Sequence, residues 1–135
     1  MILKSNTVNI IRKTNIFQYA GANSPLYILK NNEIEILKAD RQPIGYVENY
    51  TPFTNHTIDL NKIDSIYLFT DGFADQFGGS KGKKLGYKKF RELLFDNHTK
   101  ELQNQEGLLL DFINNWMNIS GEEQIDDICV VGLKL

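Results

Sequence analysis

The amino-acid sequence predicts an α+β fold in which strands joined by tight turns come first, two or three helices follow, and one strand closes the chain. Three observations predict it. Apolar residues alternate through the first half, with Asn, Gly and Pro between the runs. Two later segments repeat their apolar residues at helical spacing, and a last short apolar run lies near the C-terminus.

The elements follow in order. Thr7-Val8-Asn9-Ile10-Ile11 and Ile16-Phe17-Gln18-Tyr19-Ala20, joined by Lys13-Thr14-Asn15, read as a hairpin. After the break at Gly21-Ala22-Asn23-Ser24-Pro25, Leu26-Tyr27-Ile28-Leu29 and Glu33-Ile34-Glu35-Ile36-Leu37 form a second hairpin around Lys30-Asn31-Asn32. Four strands with such short connections imply an antiparallel meander, because parallel neighbours need long crossovers. Pro and Gly punctuate a loop over residues 40–52. A further strand pair is expected at 53–60 and 65–70. Its second member, Ile66-Tyr67-Leu68-Phe69, is apolar throughout and therefore belongs inside a sheet. Tyr87, Phe90, Leu93 and Leu94 share one face of a first helix. Leu102, Leu109, Phe112, Ile113 and Trp116 mark a second, whose stripe Leu108 and Leu110 broaden and which Ser120-Gly121 ends. Ile128-Cys129-Val130-Val131-Gly132-Leu133 is the closing strand.

The 135 residues suit a single compact unit spanning 1–135, and 41% apolar with 24% charged residues is the composition of a folded globular chain. A net charge of −2, with only Lys81 to Lys84 as a basic cluster, argues against nucleic acid as the partner. The lone Cys129 has no partner for a disulfide within the chain, which fits a reducing, cytoplasmic setting. Met1-Ile2-Leu3-Lys4 leads into polar residues rather than a signal-peptide core, and no run approaches the ~18 apolar residues of a membrane span.

The chemistry sits at strand ends. Asp71 follows one apolar strand, and Asp126-Asp127 precede another. An apolar strand holds a carboxylate only at its rim, where water or a cation offsets the charge. If these strands are antiparallel neighbours, the carboxylates converge, and oxygen ligands of that kind suit Mg²⁺ or Mn²⁺. The spacing alone equally allows Asp71 to cap a helix beginning at Phe73, and Asp126-Asp127 to be a solvated turn. Asp75 and Gln76 read as satisfying that helix N-terminus, Lys81-Gly82-Lys83-Lys84 as a solvated basic loop, and His56 and His98 as surface histidines.

Four ordered blocks carry a resemblance. Tyr19-Ala20-Gly21-Ala22-Asn23-Ser24-Pro25-Leu26-Tyr27, Arg41-Gln42-Pro43-Ile44-Gly45, Asp71-Gly72-Phe73-Ala74-Asp75-Gln76-Phe77-Gly78-Gly79 and Asp126-Asp127-Ile128 resemble the C-terminal half of the stage II sporulation protein E type phosphatases. These belong to the protein phosphatase 2C-like superfamily. The resemblance implies part of an αββα sandwich and a metal-dependent protein serine/threonine phosphatase. In such a domain a two-metal centre of Mn²⁺ or Mg²⁺ activates water against a phosphoserine or phosphothreonine. It further implies that Asp71 and Asp126 bind one ion, with Asp127 and Gly72 beside them. A bacterial signalling phosphoprotein, such as an anti-sigma-factor antagonist, is the implied substrate, and an upstream sensor module the implied neighbour.

The chain departs from that pattern at its start. The family's earlier acidic block and its Asp-x-x-Gly-His-Gly block have no counterpart among these residues. The resemblance therefore implies a partial domain that ligates one ion at most and contains no catalytic residue of its own. Two other readings stand beside it. One is a catalytically inactive phosphatase-like binding module. The other is a phosphoacceptor receiver domain, against which the run of turn-connected strands counts, because receivers alternate strands and helices around a parallel sheet.

Overall fold

The computed structural model describes residues 5–11 by their backbone, and residues 15–46 and 48–135 in full. The turn expected at Lys13 and Thr14, and residues 1–4 of the N-terminus, lie outside the described residues. Two compact units are present, one made of the chain up to residue 68 with residues 133–135, the other of residues 69–132.

The first unit is built on two hairpins. β1 (Ser5–Ile11) pairs antiparallel with β2 (Ile16–Ala22), and β3 (Leu26–Lys30) pairs antiparallel with β4 (Glu33–Leu37). The second turn needs two consecutive left-handed residues, and Asn31 and Asn32 supply them at φ 51° and 59°. Asn tolerates that region because its short polar side chain bonds locally.

The hairpins do not form one meander. β2 takes β5 (His56–Asp59) as its other neighbour, giving a three-stranded sheet in the order β1-β2-β5. β3 instead pairs with β6 (Ser65–Phe69), and β9 (Val130–Lys134) completes a four-stranded sheet in the order β4-β3-β6-β9. The cause lies at the break after β2. Asn23 turns left-handed at φ 57°, and Asp40 stitches the crossing by accepting from the Asn23 N–H at 2.9 Å and donating to Gly21 O at 2.9 Å. The pair expected at 53–60 and 65–70 is likewise divided between the sheets, with a 3-10 turn (Leu60–Lys62) joining them. Only residues 56–59 of the first member are strand.

Alternation explains how the sheets meet. Phe17 and Tyr19 of β2 are buried on one side, and with Leu26 and Ile28 of β3, Ile66 of β6 and Ile63 they form one apolar cluster. Two sheets thus face each other across a shared core. β6 is interior to its sheet and buried along nearly its whole length, as its unbroken apolar run predicts.

The second unit carries α1 (Gly72–Asp75), a short hairpin of β7 (Phe77–Gly78) and β8 (Lys83–Lys84), α2 (Tyr87–Asn97) and α3 (Leu102–Ser120). Phe90 and Leu94 are the buried stripe of α2. In α3 the stripe is narrower than its composition suggests, because Leu108 and Leu110 are 41% and 57% exposed while Ile113 is buried. Gly121 ends α3 in the left-handed region at φ 70°, as expected of a helix C-cap. Among the described residues, no helix is long and apolar enough to cross a membrane.

Candidate metal centre

The site residues all lie in the second unit. Where β6 runs out, Thr70 and Asp71 lead directly into α1, whose Gly72, Phe73 and Ala74 are buried. Phe90 of α2 anchors this corner, with its ring 5.1 Å from Phe69 and 4.8 Å from Phe73. The two residues between the strand and the turn of helix, Thr70 and Asp71, are therefore flanked on both sides by residues that pack on one aromatic ring.

Residues 121–129 have no regular structure, yet three fixtures set their course. Thr70 is the first. Its backbone N–H donates to Cys129 O at 3.0 Å, its hydroxyl donates to Asp127 O at 2.8 Å, and the same oxygen accepts from the Cys129 N–H at 2.9 Å. Segments 57 positions apart are thereby fastened side by side.

Gly72 is the second fixture, and it acts by lacking a side chain. A Cβ there would stand 2.4 Å from Asp127 O and 2.9 Å from Asp127 C, so the two backbones touch. Gln76 is the third. It is wholly buried, its Nε2 donates to Glu123 O at 2.9 Å and to Phe77 O at 3.1 Å, and its Oε1 accepts from the Ile125 N–H at 3.4 Å.

Asp71 lies between the first two fixtures, half-buried at the N-cap of α1. Its side chain makes no capping hydrogen bond, which removes helix capping as its role. Asp126 and Asp127 are exposed; Asp126 Oδ1 accepts from the Asp127 N–H at 2.8 Å, and Asp126 O accepts from Gln124 Nε2 at 2.8 Å. The structure thus brings the segments of Asp71 and Asp126 together, with Gly72 and the Asp127 carbonyl at their point of closest approach.

Other candidates fall elsewhere. Asp75 forms an ion pair with Lys84 at 3.2 Å. Gln76 does not serve the N-terminus of α1, since that helix spans only Gly72–Asp75 and Gln76 is its C-cap. His98 lies on Phe95, ring centroids 5.0 Å apart, and its ring nitrogen contacts Phe95 O. His56 is in the first unit, 5.8 Å from the ring of Tyr19. The sequence pattern passes over Thr70 altogether and gives Gln76 the wrong role, since its amide bonds Glu123 and Ile125 rather than the helix N-terminus. The only local signal was a hydroxyl residue directly before Asp-Gly.

Among the described residues, no three His, Cys, Asp or Glu side chains gather into a metal cluster. What the chain offers is two carboxylates on adjoining backbone segments at a water-accessible rim. That donor set fits one hard divalent cation with water filling its remaining positions. A softer ion would call for thiolate or imidazole ligands.

Two antiparallel sheets sharing a core, followed by helices, define the fold class of the protein phosphatase 2C-like domains. The SiaA-PP2C domain of Pseudomonas aeruginosa superposes with a TM-score of 0.85 at 27% identity, covering 98% of this chain and 51% of that one. The phosphatase domain of the cell fate determinant SpoIIE from Bacillus subtilis, a Mn-presoaked structure, superposes with a TM-score of 0.68 at 16% identity, covering 98% of this chain and 56% of that one. The chain therefore spans about half the length of the solved domains it matches. The family model described as stage II sporulation protein E (SpoIIE) matches residues 7–135, and the chain belongs to that family. No curated protein matches its sequence.

Proposed function

We propose that this chain is the C-terminal part of a metal-dependent protein serine/threonine phosphatase domain, and that Asp71 and Asp126 ligate one ion of its Mn²⁺ or Mg²⁺ centre. The observation that supports this reading is the fastening of the Asp71 and Asp126 segments through Thr70 and Gly72. Asp71 and Asp126 hold the ion, Gly72 keeps the rim closed, and Thr70 sets the spacing between the two acidic segments. When bound, the metal supplies Lewis acidity that makes water a better nucleophile and offsets charge on the phosphoryl oxygens.

The proposed substrate is a phosphoserine or phosphothreonine of a bacterial signalling protein such as an anti-sigma-factor antagonist, met in the cytoplasm, with a sensor module upstream. Two carboxylates do not make a two-metal centre, so turnover requires the acidic blocks of an N-terminal half. The test compares phosphopeptide hydrolysis in Mn²⁺ by this chain alone and by the chain joined to such a half. The expected result is no measurable turnover alone, turnover when joined, and its loss in Asp71→Asn. Turnover by the joined protein that survives Asp71→Asn contradicts the proposal. Phosphopeptide binding without turnover by the joined protein identifies the inactive binding module instead.

A further inference from the structure

Asp126 sits on a stretch with no helix or strand of its own, and among the described residues its side chain and carbonyl bond only to Asp127 and Gln124 of the same stretch. Something outside must fix the segment. Thr70 does so on the C-terminal side of Asp126, at Asp127 and Cys129. On the N-terminal side the Glu122 N–H donates to Met117 O at 3.1 Å where α3 ends, and beyond it the bonds at Glu123 and Ile125 run to one side chain, Gln76.

The Gln76 side chain makes three of the four hydrogen bonds open to an amide, all of them to backbone. Both Nε2 protons have carbonyl acceptors, Glu123 O and Phe77 O, and Oε1 has a backbone donor. Its own carbonyl accepts from Trp116 Nε1 at 3.2 Å and from the Leu85 N–H at 3.0 Å. Trp116 in turn accepts from the Gly79 N–H at 2.7 Å through its carbonyl, and a Cβ at Gly78 would come within 2.4 Å of its ring. A buried amide with both protons and its oxygen bonded is held in one rotamer, because any rotation leaves desolvated groups unpaired. Gln76 is thus a rigid bracket built on the β7–β8 hairpin and α3, pointing at the acidic segment.

We infer that Gln76 is a positioning residue for the candidate centre, holding the segment of Asp126 at the separation from Asp71 that a shared ion requires. The inference rests on the reading of those two aspartates as ligands. Gln76→Met keeps the length and bulk of the side chain and removes both its donors and its acceptor. In the metal-free chain, exchange of the Ile125 amide should then rise by about tenfold or more while Phe90 and Ile113 exchange unchanged. In Mn²⁺, the wild type should show broadening at both Gly72 and Ile128, and Gln76→Met should weaken it at both together, so that about tenfold more Mn²⁺ is needed for the same effect, because a displaced Asp126 no longer completes the shared site.

A second measurement needs no variant. The side-chain NH₂ protons of Gln76 in the wild type should exchange slowly and show nuclear Overhauser contacts to Glu123 and Ile125. Freely exchanging NH₂ protons, an Ile125 amide unaffected by Gln76→Met, or broadening at Gly72 and Ile128 with an unchanged Mn²⁺ dependence in Gln76→Met would each overturn the inference. Mn²⁺ that broadens neither Gly72 nor Ile128 in the wild type counts against the ligand reading itself, and exchange at Ile125 then still decides whether Gln76 fixes the segment.

Discussion

Replacing Gly72 by alanine tests whether the rim is as tightly closed as the geometry requires. The added methyl would stand 2.4 Å from Asp127 O, 2.9 Å from Asp127 C and 3.2 Å from Ile128 Cγ1. Carbon and oxygen approach comfortably to only about 3.3 Å, so the backbone at Asp127 must retreat by about 1 Å. Asp127 O is also the acceptor of the Thr70 hydroxyl at 2.8 Å, and that bond breaks or bends in the retreat. Overpacking against backbone costs about 2 kcal/mol and the weakened hydrogen bond about 1 kcal/mol more. At roughly 4 °C per kcal/mol for a chain of this size, Tm should fall by about 12 °C. Thermal unfolding followed by circular dichroism measures it. Gly107→Ala is the internal control: the site lies within α3 with nothing within 4 Å, so the same change should raise stability by about 0.5–1 kcal/mol. If Gly72→Ala melts with the wild type while Gly107→Ala behaves as expected, the close approach of the two backbones is wrong.

Two further outcomes follow from the same structure. Thr70→Val removes one hydroxyl that both donates to Asp127 O and accepts from the Cys129 N–H, and should cost about 1–2 kcal/mol in urea unfolding, while Thr70→Ser restores most of it; equal losses in both variants would show that the methyl rather than the hydroxyl matters. Tyr19 is buried, which with the nearby Asp40 charge pushes its phenol from 10.0 up to about 12, and its hydroxyl donates to Ser24 O. A raised folded pKa means that its contribution is complete below pH 10 and is lost as pH rises through about 12, so stability should fall across that window and Tyr19→Phe should flatten the fall. An identical alkaline profile in Tyr19→Phe would refute the assignment.

What the sequence made legible was local. Asn31 and Asn32 announce their turn because two left-handed residues in a row select for Asn or Gly, and the unbroken run at Ile66 to Phe69 announces an interior strand because both its faces are covered. The division of the hairpins between two sheets was not legible, since the pairing of β2 with β5 and of β3 with β6 is long-range and no turn encodes it. The site divides the same way. Asp71 and Asp126 stand out as carboxylates at the ends of apolar strands. Thr70 and Gln76 do not, because their partners lie 40 or more positions away and a hydroxyl or an amide looks the same in sequence whether exposed or bracketing a loop. Leu108 and Leu110 misled in the opposite sense: apolar character placed them in the stripe of α3, whereas the helix leaves them in water.

The central claim is that Asp71 and Asp126 share one ion, and paramagnetic broadening of amide signals by Mn²⁺ tests it most directly. Binding should be weak, because water fills most coordination positions. Signals at both Gly72 and Ile128 should broaden together in the wild type. Asp71→Asn and Asp126→Asn keep the size of each side chain while removing its charge, and each should abolish most of the broadening at both positions. Asp75→Asn, whose carboxylate pairs with Lys84, should leave it intact. Broadening that is confined to other acidic residues, or that persists in both single variants, would contradict the account.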